Sequence, residues 1–357
     1  MLARTLSRAG SQKNALSSRA VRFTQQQRLH KSASSGRGQP FCIAFDIDGV
    51  LVRGKGNVLP TAAESLSTLR ERRLPFIFLT NGGGITEEEK AQDMSKWFNL
   101  QIDPEEVILC HSPMQSLVAR YGDSLVLIFG RGKVKDVALK YGFKKVLTVP
   151  EVLHAYPLLV PYSVPPPLQS PLPEYCHEPI AAVLVMSDPD LFGPELQVAC
   201  DVLRSDGRPG SHPSDGIQHV PIYFSNPDLL YSDKWHIPRF GAGAWKSCVR
   251  TLFKELTGHE LRYEQFGKPH VATYRHAEQV IRGLATRHGR PPPTCLYGIG
   301  DNPAADIKGA NSAGWKSILV RSGVYAGEAL SDELSRPDHI FDRVGEAVDY
   351  VLRTHVD

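Results

Sequence analysis

Apolar runs typical of buried strands alternate with amphipathic stretches typical of helices along most of this 357-residue chain. FCIAFDIDG (41–49) has the composition of a buried strand, and TAAESLSTLRERR (61–73) has helical periodicity, with Thr61 and Glu64 spaced as a capping box. LPFIFLTNGGG (74–84) is a second apolar run, and a helix is predicted to follow it at 86–98. Strands and helices that alternate with short connections imply right-handed crossovers. The sequence therefore predicts a doubly wound, Rossmann-like α/β core, with a parallel sheet and helices on both faces.

This pattern is interrupted from about Asp123 to His219. Short α/β-like stretches persist there, but 160–175 (VPYSVPPPLQSPLPEY) and 205–216 (SDGRPGSHPSDG) are too rich in Pro, Gly and Ser to pack a core. We expect both to be loops. The simplest arrangement is a core formed by residues 40–122 and 220–357, with a smaller α/β cap domain inserted at 123–219.

The first 39 residues differ in charge from the rest of the chain. They contain eight Lys or Arg and no acidic residue, so subtracting those eight charges from the net charge of +3 leaves −5 for the remainder. A leader that is rich in Arg and Ser and lacks a continuous apolar segment is typical of a mitochondrial transit peptide. A disordered basic tail or a nucleic-acid-binding arm is the alternative. We expect a cleavable leader at 1–39 and a location in mitochondria, most simply the matrix.

Composition excludes several other classes. The six cysteines contain no C-x-x-C pair, which argues against a disulfide framework and against a zinc site. The sequence has no run of eighteen uncharged apolar residues, so a transmembrane segment is not expected. The negative balance after residue 39 makes nucleic acid an improbable partner. A homodimer formed through exposed cap surfaces stays open.

Polar residues stand where the predicted strands end. Ligands of open parallel sheets bind beyond the carboxyl ends of the strands, so these residues are the candidates for a site. Lys268 joins them from the loop GKP, just before a predicted helix. The residues that leave the three strands are Asp46 and Asp48, then Thr80 and Asn81, and finally Asp301, Asn302 and Asp306.

The spacing of these acids indicates a metal. Strand side chains alternate, so Asp46 and Asp48 can face the same side. Two unit charges 4 Å apart repel by about 4 kcal/mol at an effective dielectric near 20, and three carboxylates including Asp301 therefore need a cation. Oxygen ligands that leave coordination sites open suit Mg²⁺. Lys268, Thr80 and Asn81 would then bind the oxygens of a phosphate.

Such a site is suited to phosphoryl transfer. A carboxylate can act as the nucleophile through an aspartyl phosphate, and we assign this role to Asp46. Asp48 is assigned as the general acid that protonates the leaving alkoxide and as the base that then activates water. Neighbouring carboxylates are expected to raise the pKa of Asp48, which would let it hold that proton.

Four short motifs resemble those of the haloacid dehalogenase superfamily, in the same order. They are FDIDGV (45–50), FLTNGGG (78–84), GKP (267–269) and GDNPAAD (300–306). The insertion between the second and third motifs is similar to the class IIA cap, and YFSNPDLLY (223–231) resembles the return from cap to core. DIDGVLVRG (46–54), PRFG (238–241), LRYEQFGKP (261–269) and SGVY (322–325) also resemble a mitochondrial group of the superfamily, in which some fungal members are fused to a CDP-alcohol phosphatidyltransferase. The resemblance implies a mobile cap, Mg²⁺ and phosphatase-type chemistry.

The resemblance also implies roles for individual residues. Asp46 would be nucleophile and metal ligand, and Asp48 would be the acid and base and lend its main-chain carbonyl to the metal. Thr80 would hold the phosphoryl oxygens, and Lys268 would offset their charge. Asp301 would be a metal ligand. Asp306 would support Lys268 or a metal-bound water. One departure is Gly82, since many class IIA members have asparagine there.

These observations predict a Mg²⁺-dependent phosphatase for a small phosphorylated metabolite, and the resemblance implies mitochondrial phospholipid metabolism as its setting. Carbon–halogen hydrolysis is disfavoured, because a halide needs neither a proton nor a metal to leave. A non-catalytic protein that binds phosphate and metal beside a phospholipid-synthesising partner is the alternative from another class. The sequence does not identify the substrate.

Overall fold

The computed structural model describes residues 38–54, 56–211, 218–231 and 235–356. The leader predicted at 1–39 lies almost wholly outside these residues. The described helices are α1 Ala62–Glu71, α2 Glu87–Phe98, α3 Val118–Tyr121, α4 Val134–Tyr141, α5 Val149–Ala155, α6 Phe192–Leu203, α7 Ala242–Thr257, α8 Val271–Arg287, α9 Lys308–Ser312 and α10 Val344–His355. Short 3₁₀ turns occur at Pro104–Glu106, Ser112–Leu117, Glu174–His177 and Glu333–Ser335, and a π-helical turn at Pro303–Ile307.

Residues 40–349 form one compact unit that contains two separate parallel sheets. The first has six strands in the order His339–Phe341, Lys316–Val320, Cys295–Gly300, Phe41–Phe45, Phe76–Leu79 and Val107–Ile108. Phe41–Phe45 is central and fully buried, as the apolar run predicts. The chain passes to one side of it first and returns on the other side after the insertion. Phe41–Phe45 therefore lies where the strand order reverses, the usual position of a ligand site in such sheets.

The second sheet has five parallel strands in the order Lys145–Thr148, Leu125–Phe129, Ile180–Val185, Ile222–Phe224 and Tyr263–Gln265. It is a separate α/β layer inserted in the core, which confirms the predicted fold class. Its last two strands lie beyond residue 219, so the expected boundary at 219–220 does not separate the two sheets. The reason is packing, because Phe224 and Trp245 of α7 belong to the same buried cluster as Leu127 and Val183.

Two short antiparallel hairpins lie outside these sheets. One pairs Val52–Arg53 with Asn57–Val58, just after the first core strand. The other pairs Leu230–Tyr231 with Arg239–Phe240, between the fourth strand of the second sheet and α7. No helix within the described ranges combines the length and the apolarity that a bilayer span requires.

The capping box predicted at the start of α1 is wrong. Thr61 precedes α1 with φ at 69° and makes no side-chain cap. Its hydroxyl instead donates to the carbonyl of Pro60 at 2.5 Å and accepts from the main chain of Gly345 at 3.2 Å. The left-handed backbone turns the hydroxyl away from the first helical turn. A capping box is present at α2, where Thr86 and Glu89 bond reciprocally.

Candidate active site

The site is built where the central strands of the first sheet end. Asp46 follows Phe41–Phe45 directly, and its amide donates to the carbonyl of Ile299 at 2.9 Å, so the hydrogen-bond ladder of the sheet continues to this residue. Thr80 follows Phe76–Leu79 and its amide donates to Ile108 at 3.1 Å. Asp301 follows Cys295–Gly300. Because the strands are parallel, their carboxyl ends bring these side chains to one edge, although the sequence separates them widely.

Three carboxylates meet at this edge. Asp46, Asp301 and Asp306 are all buried, and each offers one oxygen that lies within 4.8 Å of those of the other two. Lys268 is also buried, and its Nζ lies 2.5 Å from Oδ1 of Asp46 and 2.6 Å from Oδ1 of Asp306. One ammonium group therefore pairs with two of the three clustered carboxylates. Oxygen donors with an excess of negative charge are the set that Mg²⁺ prefers, so the residues fit a divalent cation.

Burial and mutual repulsion disturb the ionisation of these acids. Burial raises the pKa of Asp46, Asp306 and Asp301 raise it further, and Lys268 opposes both effects. Burial raises the pKa of Asp301 to about 7, with Asp306 adding to the effect and the amide of Val324 opposing it. Burial acts to lower the pKa of Lys268, but Asp306 and Asp46 more than compensate and raise it overall. The ammonium is thus firmly charged, and the acids gain from a further cation.

The backbone closes tightly around Asp301. A Cβ atom built on Gly49 or on Gly323 would overlap the Asp301 carboxylate. Gly49 also has φ at 86°, a conformation that side chains disfavour. The amide of Val324 donates to Oδ2 of Asp301 at 2.7 Å. The glycines therefore let two loops hold this carboxylate in one orientation.

The Asn81 carboxamide makes hydrogen bonds within the protein. Its Oδ1 accepts from the amide of Lys268 at 2.7 Å, and its Nδ2 donates to the carbonyl of Lys268 at 3.0 Å. Nδ2 also donates to the Asp228 carboxylate, with both oxygens at 3.1 Å. Both Nδ2 protons thus have acceptors, which leaves none for a phosphate oxygen. In this geometry the carboxamide contacts the main chain of Lys268, and the phosphate contact of Asn81 stays a prediction.

The Thr80 side chain keeps its predicted capacity. It is buried, and its Oγ1 accepts from the amide of Gly82 at 3.0 Å. That bond uses a lone pair and leaves the hydroxyl proton available for an anion. Gly82 occupies the position where many class IIA members have asparagine, and here it supplies a main-chain donor to Thr80.

Asp48 lies apart from the carboxylate cluster. Asp48 is exposed, whereas Asp46, two positions earlier, is buried. The resemblance implies that Asp48 binds the metal through its main-chain carbonyl. Its carboxylate therefore does not need to lie in the cluster. An exposed carboxyl two positions after Asp46 is accessible to water. Its assignment as acid and base stays a prediction.

Asn302 and Asp306 organise the turn after Asp301. Oδ1 of Asn302 accepts from the amides of Ala304 and Ala305 at 3.0 and 3.3 Å, which caps the π-helical turn. Oδ2 of Asp306 accepts from the amide of Asn302 at 3.0 Å, and Oδ1 faces Lys268. Both residues therefore contact the elements around Asp301 and Lys268, and their supporting roles stay a prediction.

Two residues of the site were not predicted. Asp228 bonds to Asn81, and Tyr274 donates from its hydroxyl to the carbonyl of Asp306 at 3.1 Å. Asp228 stands in SNPD, inside the stretch that resembles the return from the cap, and that resemblance was the available signal. Tyr274 is one of several apolar-face residues of α8 and carries no distinguishing pattern.

Polar contacts join the cap to the core. The Tyr141 hydroxyl at the end of α4 donates to Oε1 of Glu87 at 2.5 Å, and Oγ of Ser112 donates to the same oxygen at 2.7 Å. Nδ1 of His111 lies 2.7 Å from the Tyr141 hydroxyl oxygen. Ion pairs join the acidic start of α2 to cap lysines, including Lys140 with Glu88. These contacts fix one edge of the cap against the core.

Comparison with known proteins identifies the family. The family model described as haloacid dehalogenase-like hydrolase matches residues 43–144, and the one described as HAD-hydrolase-like matches residues 265–347. The two matches contain the four motifs and every predicted site residue. The chain belongs to the haloacid dehalogenase-like hydrolases, as the motifs predict, and it is an enzyme of that class.

Individual relatives agree with this assignment. The chain is 33% identical to a mitochondrial hydrolase of Saccharomyces cerevisiae, over 87% of this chain and 95% of the relative. It is 36% identical to a cardiolipin synthase (CMP-forming)/mitochondrial hydrolase fusion protein of Schizosaccharomyces pombe, over 88% of this chain. The match spans about half of that fusion protein, 53% of its length.

Solved structures confirm the fold. A hypothetical protein from Pyrococcus horikoshii is 25% identical, with a TM-score of 0.63 over 87% of this chain and 99% of its own. A glycerol phosphate phosphatase from Mycobacterium tuberculosis in complex with magnesium is 19% identical, with a TM-score of 0.60 over 88% and 78% of the two chains. At this identity the second likeness concerns the fold alone.

Proposed function

We propose that this enzyme is a Mg²⁺-dependent phosphatase that acts through an aspartyl phosphate on Asp46. The observation that carries the proposal is the buried arrangement of Lys268 between Asp46 and Asp306, with Asp301 in the same cluster. A buried lysine that holds a carboxylate in place beside a metal-binding set of oxygens is suited to an incoming phosphate dianion.

The reaction is divided into two steps. In the first, an Asp46 oxygen attacks phosphorus, the bond between phosphorus and the ester oxygen breaks, and Asp48 gives its proton to the leaving alkoxide. In the second, Asp48 takes a proton from water, the resulting hydroxide attacks phosphorus, and Asp46 is released with inorganic phosphate. Lys268 and the Thr80 hydroxyl orient the phosphoryl oxygens and offset their charge in both steps.

The carboxylates of Asp46 and Asp301 and the main-chain carbonyl of Asp48 would hold the metal. A bound Mg²⁺ supplies charge neutralisation for the phosphoryl oxygens and for the acidic cluster. The donor set supports this choice because all of these ligands are oxygens and none is sulfur or imidazole. The comparison structure crystallised with magnesium adds support from the same fold.

The proposed substrate is a small phosphorylated compound, and the proposed setting is mitochondrial phospholipid metabolism. The mitochondrial names of the two yeast relatives and the basic leader support the location. The fusion of one relative to a cardiolipin synthase supports the pathway class. We propose the matrix as the compartment and the second sheet with its helices as the cap that closes over the cleft.

Turnover of p-nitrophenyl phosphate tests the proposal. The wild-type chain should release phosphate with MgCl₂ and lose this activity with EDTA, whereas Asp46→Asn should retain no more than about 10⁻³ of the wild-type rate. Acid-quenched wild type, but not Asp46→Asn, should carry the phosphoryl group covalently. Equal trace rates in the two proteins would contradict the proposal and favour the non-catalytic, phosphate-binding alternative.

A further inference from the structure

Lys268 lies on one of the two connections between the sheets. The chain enters the second sheet between the strands Val107–Ile108 and Leu125–Phe129, and it returns to the first sheet after the strand Tyr263–Gln265. Lys268 comes three residues after this last strand and three residues before the start of α8. The position of the lysine therefore depends in part on the end of a strand that belongs to the second sheet.

The Gln265 side chain fastens the end of this strand to the neighbouring strand. Its Nε2 donates to the carbonyl of Phe224 at 3.1 Å and to the carbonyl of Phe266 at 2.7 Å. The amide of Phe266 donates to the same Phe224 carbonyl at 2.8 Å. Two donors from consecutive residues thus hold the carbonyl at which the strand Ile222–Phe224 ends, immediately before the turn that carries Lys268.

Lys246 of α7 sets the orientation of the Gln265 carboxamide. Its Nζ donates to Oε1 of Gln265 at 2.7 Å, which directs Nε2 towards the two carbonyls. The ammonium also lies 5.4 Å from the centre of the Tyr263 ring and 5.9 Å from that of Phe224. Since α7 packs on the second sheet through Trp245, the carboxamide is held by elements of the second sheet.

The turn that joins this strand to Lys268 is closely packed. Gly267 has φ at 84°, and a Cβ atom built on it would lie 2.5 Å from the carbonyl oxygen of Ser225. Its amide donates to Oγ1 of Thr273 at 2.8 Å. Because the turn is short and held on both sides, a displacement of the strand end is transmitted to the Lys268 ammonium, which lies 2.5 Å from Oδ1 of Asp46.

We propose that Gln265 is a positioning residue for Lys268, and that Lys246 acts through Gln265. The second sheet then sets the distance between the ammonium and the Asp46 carboxylate, together with the contact that Asn81 makes from the core. This proposal deepens the proposed phosphatase function and rests on it. A catalytic group that is misplaced by about 1 Å can lower a rate by about 10²-fold, so a remote carboxamide can matter for turnover.

Gln218 provides a matched control at the other end of the same two strands. Its Nε2 donates to the carbonyl of Arg262 at 2.8 Å, and its Oε1 accepts from the amide of the same residue at 2.8 Å. Gln218 thus fastens the two strands where they begin, as Gln265 fastens them where they end. Loss of either carboxamide removes comparable hydrogen bonds from the second sheet, but of the two, Gln265 is the one beside the turn of Lys268.

The test compares full-length wild type with Gln265→Met and Gln218→Met. Methionine keeps the length of the side chain and removes its hydrogen bonds. Hydrolysis of p-nitrophenyl phosphate at saturating MgCl₂ gives kcat and KM, and urea denaturation gives the midpoint of unfolding. Amide hydrogen exchange, followed by mass spectrometry, reports on residues 266–268 without reference to activity.

We expect Gln265→Met to lower kcat by about tenfold and to change KM by less than about twofold. Gln218→Met should keep the wild-type kcat, although the urea midpoints of the two variants should fall by similar amounts. Exchange should rise at 266–268 in Gln265→Met and at Arg262 in Gln218→Met. Lys246→Met leaves the Gln265 carboxamide free to rotate and should lower kcat by about threefold.

A wild-type kcat in Gln265→Met would overturn the proposal. An equal loss of kcat in Gln218→Met would also overturn it, because the effect would then be a general loosening of the second sheet. Should Gln265→Met fail to fold, an unchanged kcat in Lys246→Met would have the same meaning.

Failure of the phosphatase proposal would look different. In that case no protein, wild type included, would release phosphate, which would overturn the proposed reaction. Faster exchange at 266–268 in Gln265→Met, with wild-type exchange there in Gln218→Met, would still support the positioning of Lys268 by Gln265.

Discussion

The carboxamide of Asn81 pairs with the main chain of Lys268 in both directions, accepting from its amide at 2.7 Å and donating to its carbonyl at 3.0 Å. Asp228, which comes from the segment leaving the cap, holds the same carboxamide from the other side. The lysine that reaches Asp46 is therefore positioned by one residue from the core and one from the return segment.

Asn81→Ala should lower kcat for p-nitrophenyl phosphate by about 10²-fold, because the main chain of Lys268 loses both anchors and its ammonium moves from Asp46. KM should change less than kcat. Asp228→Asn is the matched control, since its amide oxygen still accepts from Asn81, and it should lose less than tenfold. Steady-state kinetics at saturating Mg²⁺ measure both, and a kcat for Asn81→Ala within twofold of wild type would contradict the positioning role.

Lys268→Met should reduce phosphatase activity by about 10³-fold and lower the free energy of unfolding at pH 8 by about 3–5 kcal/mol. The substitution leaves the buried carboxylates of Asp46 and Asp306 without their ammonium partner. Lys308→Met removes an exposed lysine that pairs with Asp332 at 2.9 Å, and it should cost at most about 1 kcal/mol. Urea denaturation compares the two variants. Similar losses in the free energy of unfolding would show that the buried ion pair contributes no more to stability than the exposed one.

Asp301→Asn should weaken the stabilisation that Mg²⁺ gives to the folded protein. At a Mg²⁺ concentration of 100 times Kd, wild type should gain about 2.7 kcal/mol, whereas the variant should gain little at the same concentration. Thermal unfolding with MgCl₂ and with EDTA measures this without reference to activity. Asp123→Asn, which changes an exposed carboxylate paired with Lys144, should respond to Mg²⁺ like wild type. An Asp301→Asn protein stabilised as strongly as wild type would exclude Asp301 as a ligand.

Much of this site is visible in the sequence because its signals are local. Asp46, Thr80 and Asp301 each directly follow an apolar run, and parallel strands bring such positions together whatever lies between them. The pairing of Asn81 with Lys268 was not predictable, because they lie 187 residues apart and an asparagine at a strand end can serve phosphate or main chain equally well. The sequence also did not predict that the second sheet extends beyond residue 219, because long-range packing decides this as well. The strand Ile222–Phe224 suits either sheet, and packing with Trp245 decides between them.

Glu195→Gln should make the protein less sensitive to pH. Burial raises the pKa of Glu195 to about 7 from an ordinary value of 4.5, although the amide of Leu191 donates to its carboxyl. The folded protein thus holds this proton more tightly than the unfolded chain. The resulting stabilisation is fully present below pH 4.5 and is lost as the pH rises through 7.

At pH 8 the Gln variant should therefore be more stable than wild type by about 2–3 kcal/mol, and at pH 4 the difference should be small. Chemical denaturation at the two pH values measures the change. Exposed Glu333→Gln is the control and should show no such trend. A Gln variant that is less stable at pH 8 would show that the charged carboxylate is favoured where it lies.

Tyr141→Phe should weaken the attachment of the cap to the core. The substitution removes the hydroxyl that bonds to Glu87 and lies beside His111, and the buried Glu87 carboxylate loses a donor. We expect the free energy of unfolding to fall by about 1–3 kcal/mol. Tyr162→Phe, at a fully exposed position, should leave stability unchanged. Hydrogen exchange across α4 would locate the effect, and unchanged protection there would contradict the proposed attachment.

Asp46 and Lys268 are 222 residues apart in the chain, and their contact closes only when the two halves of the core have assembled around the insertion. Neither half contains both groups, so we expect a chain in which only one half has folded to be inactive. If the chain is divided within the inserted segment and the two fragments are expressed separately, each should lack phosphatase activity. The activity should return only when the fragments associate.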